Sequence, residues 1–472
     1  MKYSCLALKI LLIGFLFHSW PAAASPNFEA PGQVNLSSSG MGSSGGEEGL
    51  SLSKAVELAL KNNPRVRAAF SGREMVDAQL REAQGGRWPL LQFSETFTRS
   101  NNPVFVFGSL LEQGRFGPQN FDIGSLNNPE PLNNFRTAMN LKWPVFDQLQ
   151  SSTRVSQARI GQEQAELQKE MVGQQVRFEV IRAYYGVLIS QERKKVAEEA
   201  VKMAEAERKR IEDLFNSGLV VQSDLLSAQV QEAEFRQTQV QAEGDVVTAY
   251  AFLNTVMGVP VQALQQINGR LTSKDFPVAG VDEWIRLALK HRPDYARATF
   301  AVRSKEEGIR GAKGNYLPRI DVFSSYGVSG RDLSSGSSDY AIGAGLSYDL
   351  FDFSRSAKID KARAAQSLAS AEQEELANQI HFEVVQAYQH YVTARERLKV
   401  AAQSVGQAQE ALRIVQDRYR EGLTLITEVL RSETAFVRAR LNLIAARYDY
   451  YIGYARILMA SGKLADVQPF ES

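Results

Sequence analysis

The sequence predicts an α+β membrane protein: a duplicated chain that contributes four strands to a β-barrel and carries two long helical hairpins of coiled-coil type. Three observations carry that prediction. A proline-free run rich in Ala, Gln, Glu and Arg spans Ser151 to Gly258 and is then written a second time. At a constant offset of 204 residues, Phe178-Glu179-Val180 pairs with Phe382-Glu383-Val384, Asp213 with Asp417, Gly218-Leu219 with Gly422-Leu423, and Gly258 with Gly462. Ahead of each run the apolar period drops from helical spacing to two, the alternation of a strand with one apolar face.

The first 24 residues stand apart. Lys2 and Lys9 precede the apolar stretch Ile10 to Phe17, and Ala22-Ala23-Ala24 follows. A basic start, a short apolar core and an A-x-A site make a secretory signal peptide, too short for a permanent transmembrane helix. The single cysteine, Cys5, lies inside it, so the mature chain has no disulfide, no thiolate metal ligand and no cysteine at the cleavage point to carry a lipid. Residues 25–49 are rich in Ser, Gly, Pro and Asn and read as a flexible leader. Gly40 to Gly46 formally matches two glycine motifs, but no strand pattern precedes it and no βα turn follows.

The first structural repeat is read over 50–259, an inter-repeat segment over 260–280, and the second repeat over 281–472. Each opens on a related unit. Leu58-Ala59-Leu60-Lys61 and Pro64 recur as Leu287-Ala288-Leu289-Lys290 and Pro293, and Pro89 recurs as Pro318, at an offset of 229. The difference between the two offsets places an insertion of 25 residues in the first copy. It falls within Asn101 to Asn134, a stretch of Asn, Pro, Gly and Phe that reads as a long loop.

The strand patterns lie on either side of that loop and at its counterpart. Phe135, Thr137, Met139, Leu141, Trp143 and Val145 alternate with Arg136, Ala138, Asn140, Lys142 and Pro144. Tyr340, Ile342, Ala344, Leu346, Tyr348 and Leu350 alternate with small or polar residues. Leu90–Arg99 and Arg319–Ser329 are weaker partners, because Glu95 shares a face with Phe93 and Phe97. About 11 residues with one apolar face fit a tilted strand crossing lipid, with Trp and Tyr for the interfaces. Four strands cannot close a membrane barrel, so the chain must oligomerise. Three copies would give twelve strands and six hairpins.

The helical runs break only at Asn216-Ser217-Gly218 and Arg420-Glu421-Gly422, where glycine suits the left-handed position that ends a helix. The acid that follows each break, Asp224 or Glu428, falls in the first turn of the returning helix, where negative charge is favoured. The first arm, about residues 150 to 215, is on the order of 100 Å long at 1.5 Å per residue. Leu423, Leu430, Val437, Ile444, Tyr451 and Leu458 recur every seven residues, and Val429, Phe436, Leu443, Tyr450 and Ile457 form a second column beside them. A sustained period of seven implies left-handed supercoiling, and two columns imply more than one neighbour.

Enzyme chemistry finds little here. The mature chain has three histidines, His291, His381 and His390, without HExxH, a P-loop or paired metal-ligand spacing. No catalytic residue, metal or cofactor is expected. Fifty-four basic against 53 acidic residues, a net charge of +1, argues against a nucleic-acid partner.

Taken in order, helix, strand, loop, strand, long helix, tip and helix, written twice from Leu50 to about Gly462, the chain resembles the TolC family of outer-membrane efflux proteins. That resemblance implies a homotrimer: a 12-stranded outer-membrane β-barrel in lipid, continued by a periplasmic α-helical coiled-coil barrel, with an equatorial belt at the chain ends and roughly Pro260 to Gly280. It further implies a passive, gated exit duct of a tripartite efflux or type I secretion system, joined by a periplasmic adaptor to an inner-membrane RND or ABC pump. The family's periplasmic entrance maps onto Tyr419, Gly422 and Glu428, with Asp224 the counterpart of Glu428 in the first hairpin. Where the family's pattern has a second acid this chain has Arg431, and where it has a basic residue this chain has Thr424. Restraining contacts would join Tyr419 to the neighbouring hairpin near Arg154 or Asp213. Adaptor docking would fall on the tips, at Gly218, Leu219, Val220, Gly422, Leu423 and Leu425. A soluble periplasmic adaptor or coiled-coil scaffold is the alternative from another class.

Overall fold

A computed structural model describes residues 49–263, 266–269, 274–464 and 470. The signal peptide and nearly all of the leader lie outside them. Two compact units divide the chain, one formed by Gly86–Gln148 and Leu317–Leu350, the other by the helical segments around them in sequence.

The smaller unit is a four-stranded antiparallel sheet in sequential order: β1 (Leu90–Ser100), β2 (Leu132–Asp147), β3 (Arg319–Asp332) and β4 (Ser335–Ser347). Register sorts its side chains by face. Phe93 lies opposite Met139, Met139 opposite Tyr326, and Tyr326 opposite Tyr340, while Leu91 shares its row with Leu141 and Ile342. The alternate rows carry Gln92, Asn140 and Ser325, or Thr96, Arg136 and Ser329. One face is therefore apolar and aromatic and the other polar, the pleat having converted the period of two into two surfaces. Glu95 shares the apolar face with Phe93 and Phe97, and its carboxylate accepts the Thr137 hydroxyl at 2.5 Å. On the polar face Arg136 ties three strands together, donating to Asp339 and Ser329 at 2.9 Å.

Several strand boundaries differ from the sequence reading. Tyr348 and Leu350 fall beyond the end of β4, and β2 begins three residues earlier than its alternation suggests. The stretch read as a loop holds structure of its own: a helix at Pro103–Glu112, a 3₁₀ turn at Pro118–Phe121 and a short helix at Ile123–Asn127. Asn102 and Asp122 cap the two helices, accepting from the N–H groups of Phe105 and Ser125. Asn102, one of the Asn residues that suggest a loop, is thus a helix starter, as is Asp122.

The helical unit repeats one plan. In chain order the first copy has α1 (Leu52–Asn62), α2 (Pro64–Gly85), then α5 (Gln150–Asn216) and α6 (Gln222–Met257), with α3 and α4 being the two insert helices at 103–112 and 123–127. The second has α7 (Val281–His291), α8 (Pro293–Gly314), α9 (Ser354–Arg420) and α10 (Ile426–Ala460). Both long arms are 67 residues, on the order of 100 Å. The copies also share their fastenings. Gly258 and Gly462 end α6 and α10 at φ +70°, and at both a Cβ would stand 2.7 Å from backbone atoms, of Asn62 in one copy and His291 in the other. Asn63 donates to the Val256 carbonyl, and the equivalent Arg292 donates to that of Ala460.

Burial follows most of the heptad positions, with Leu423 exposed at the tip and Phe436 and Leu443 only half-buried. Val429, Leu430, Val437, Ile444, Tyr450, Tyr451, Ile457 and Leu458 are all buried. The main core joins Val180, Ile181 and Tyr185 of α5 to Val384 and Tyr391 of α9 and the tyrosines of α10. Phe276, from the inter-repeat segment, stacks on Tyr454 at 4.3 Å, and its carbonyl accepts the Tyr391 hydroxyl at 2.5 Å.

Candidate functional site at the hairpin tips

The two tips have one geometry because their sequences make one stop signal. Gly218 and Gly422 adopt φ of +74° and +69°, with open space where a Cβ would be. Beyond each, Leu219 N–H donates to the Leu214 carbonyl and Leu423 N–H to that of Arg418, the six-to-one bond of a Schellman motif. The tight reversal leaves apolar side chains facing solvent: Leu219, Leu423 and Leu425 are 72, 67 and 72 % exposed. Val220 instead turns inward against a small core of Ile211, Ala228, Ile426, Val429 and Leu430, and the exposed valine of that tip is Val221.

Tyr419 packs on the same core, with the Arg210 guanidinium 5.8 Å over its ring. Burial first, then the nearby carboxylates of Glu207 and Asp224, raise its hydroxyl pKa. The fold thus brings Tyr419 and Asp224, from different hairpins, into one electrostatic neighbourhood. Arg154 has no part in it: it lies in the first turns of α5, at the end of that 67-residue helix remote from the tip. Glu428 is half-exposed and paired with Arg431 at 3.2 Å, so the arginine standing in place of a second acid offsets the charge of the first.

About two turns above the tip lies a polar cluster that the sequence reading missed. Glu433 of α10 is fully buried, and one carboxylate oxygen accepts from the Gln231 amide of α6 at 3.1 Å. Its other oxygen, one oxygen of buried Glu207 on α5, and the Tyr419 hydroxyl have no hydrogen-bond partner among the described residues. Desolvation, reinforced by the Glu207 charge and only partly opposed by Gln416, pushes the Glu433 carboxyl up to about 8. Burial likewise raises Glu207, against the pull of Arg210 and Arg420. Beside them Arg208 and Arg236 clamp buried Glu232 at 2.5 and 2.8 Å. Glu433 was legible as an acid between Leu430 and Val437 of a buried column; what surrounds it was not.

A sheet with one apolar and one polar face, carried with two helical hairpins whose longer arms are on the order of 100 Å, defines the class of channel-forming outer-membrane proteins. The chain belongs to the outer membrane efflux protein family, whose model matches residues 55–259 and 284–463. It is 21 % identical over 428 residues to the alkaline protease secretion protein AprF of Pseudomonas aeruginosa, covering 88 % of this chain and 85 % of that one. It is 26 % identical over 267 residues to the outer membrane protein TolC of Escherichia coli, covering 53 and 54 %. The solved CmeC outer membrane channel of Campylobacter jejuni superposes with a TM-score of 0.73 at 18 % identity, over 87 % of this chain and 85 % of that one. The protein is accordingly an outer-membrane efflux channel with a periplasmic extension, and its family is one of channels rather than enzymes.

Proposed function

We propose that three copies of this chain close a twelve-stranded barrel in the outer membrane, and that its hairpins form the gated periplasmic part of the exit duct of a tripartite efflux or type I secretion system. The observation that carries this is the sheet: β1 and β4 have free outer edges among the described residues, and the apolar face is exposed on the single chain. Unpaired edges and an apolar face are tolerable in a membrane only if further strands complete the ring. Export would use the signal peptide cut after Ala24, with no lipid anchor. The homotrimer would meet a periplasmic adaptor at Gly218, Leu219, Gly422, Leu423 and Leu425, with Val220 bracing the tip from inside, and energy would come from an inner-membrane RND or ABC pump. Likeness to a protease secretion protein and to TolC supports a duct whose cargo is chosen by those partners.

Native mass after gentle detergent extraction of separated membranes tests the reading. A heat-sensitive trimer in the outer-membrane fraction is expected; a soluble periplasmic monomer overturns it and leaves the coiled-coil scaffold. For the entrance, Tyr419, Asp224, Glu428 and Arg431 are the gate residues. Three Glu428–Arg431 pairs around the axis make a ring of weakened acidity. Arg431→Gln should deepen block by divalent cations in single-channel recordings and Glu428→Gln should relieve it; no change in either removes the pair from the gate. Leu423→Glu with Leu425→Glu should abolish adaptor cross-linking while the trimer persists.

A further inference from the structure

We infer that the insert between β1 and β2 is a self-association surface: α3 of three copies meets around the barrel axis and narrows the outer mouth. The inference rests on the trimeric barrel proposed above. The insert follows Ser100, at the end of the sheet away from the chain segments that lead to the helices. In a barrel whose helices are periplasmic, that end faces outward.

Where the insert touches the strands, it touches the polar face. The Gln113 amide donates to the Asn133 carbonyl and to the Asn134 side chain, both at 2.9 Å. Glu112 lies 3.6 Å from Arg136 and accepts from Ser329 at 3.5 Å. A Cβ on Gly114 would pack 3.5 Å from Ser337. Arg136, Ser329 and Ser337 are one cross-strand row, on the side opposite Phe135 and Val328. In a membrane barrel the polar face lines the lumen. The insert is therefore seated on the lumen side of the rim, turned away from lipid.

Its free surface is the wrong kind for water. On α3, Val104 and Leu111, two turns apart on one side, are 80 and 52 % exposed, while Phe107 between them is 39 % exposed and its ring already meets Phe116 edge-on at 4.9 Å. The opposite side is already used, with Val106 and Leu110 lining a cavity of about 400 Å³ closed by Phe116 and Leu126. An apolar stripe on the lumen side needs a partner in that lumen, and the nearest surfaces of matching character are the same stripes on the two other copies.

The dimensions make them meet. Twelve strands about 4.8 Å apart and tilted by about 40° make a ring roughly 24 Å across from backbone to backbone, and the inward side chains leave a narrower bore. Three helices of about 10 Å diameter need a circle of roughly 22 Å. The second repeat contributes no such element, because β3 and β4 are joined by a tight turn at Leu333-Ser334. Three inserts, not six, share the mouth.

The natural sequence suits the test, since its single cysteine, Cys5, falls in the signal peptide. Val104→Cys and Leu111→Cys are each made, and Met139→Cys on the apolar sheet face is the control. Native mass is measured for each, and the purified trimer is then oxidised or treated with a short bismaleimide. Covalent dimers at Val104→Cys or Leu111→Cys, at most two of every three chains because each cysteine pairs once, with none at Met139→Cys, are expected. Intact trimers that yield no dimers at either position overturn the inference and leave the barrel standing. Labelling of both positions by a membrane-embedded carbene probe also overturns it, because the stripe would then face lipid. If the unsubstituted protein is not a trimer, the barrel reading itself fails.

Discussion

Glu433→Gln addresses the packing of the two hairpins just above the entrance. In the folded chain the Glu433 carboxyl titrates at about 8 instead of its usual 4.5, because it is fully buried beside Glu207 and keeps one oxygen without a partner. Between those two values the folded state holds a proton that the opened state has released. Stability is then complete below about pH 4.5 and is lost as pH rises toward 8, at about 1.4 kcal/mol per pH unit. Between pH 5.5 and 7.5 the free energy of opening the tip should fall by about 2 to 3 kcal/mol. The raised Glu207 carboxyl acts in the same direction. Gln keeps the shape and carries no proton to lose, so the variant should be flatter with pH, retaining only the part due to Glu207. The assay is hydrogen exchange of the α5 and α10 amides flanking the tip, corrected for intrinsic rates, in the purified protein at several pH values. A natural protein whose tip opening does not vary over this range, or a Glu433→Gln variant with the same slope, would refute the reasoning. Rising pH should thus loosen the contact between hairpins.

The terminal glycines make a second test. Gly422→Ala meets open space and should cost about 1 kcal/mol for its left-handed backbone, whereas Gly462→Ala also drives a methyl into the His291 backbone 2.7 Å away. Thermal unfolding in detergent should show Gly462→Ala as at least twice as destabilising. Arg292 is mostly buried and bonded to Asp294 and Glu383 at 2.6 Å. Arg292→Ala strands both acids and should cost about 3 kcal/mol in the same assay. Arg292 also helps hold the Asp294 carboxyl below its usual value despite burial. That contribution is present above the usual Asp range and is lost as the pH falls through the lowered value, so acid melting of the natural protein should converge on that of the variant. Arg136→Ala should loosen the insert from the polar face of the sheet, read as faster proteolysis within Asn101 to Asn134.

Much of this architecture was legible because it is periodic. The offset of 204 aligns Gly218 with Gly422 and Gly258 with Gly462, and the structure gives each pair the same φ to within a few degrees. The alternation through Phe135 to Val145 marked a strand with one apolar face, and the sevenfold columns marked the buried stripe of α10. The insert was the main misreading. Its Asn and Pro residues are helix caps and first-turn residues as readily as loop formers, and local sequence does not decide between these roles.

The sequence by itself determined the repeat, the sidedness of the strands, the length of the helices and the places where they stop, since backbone period and glycine conformation are local properties. Only the tertiary structure decided which side chains from different elements share a neighbourhood. It placed Glu433 against Glu207 and Gln231, Arg210 over Tyr419, and the insert on the polar face of the sheet beside Arg136. Those choices depend on the rotation and stagger of one helix or strand against another, which are set by close packing among residues some 200 positions apart. An acid that reads as a solvated charge in the chain thereby becomes a buried proton carrier in the fold.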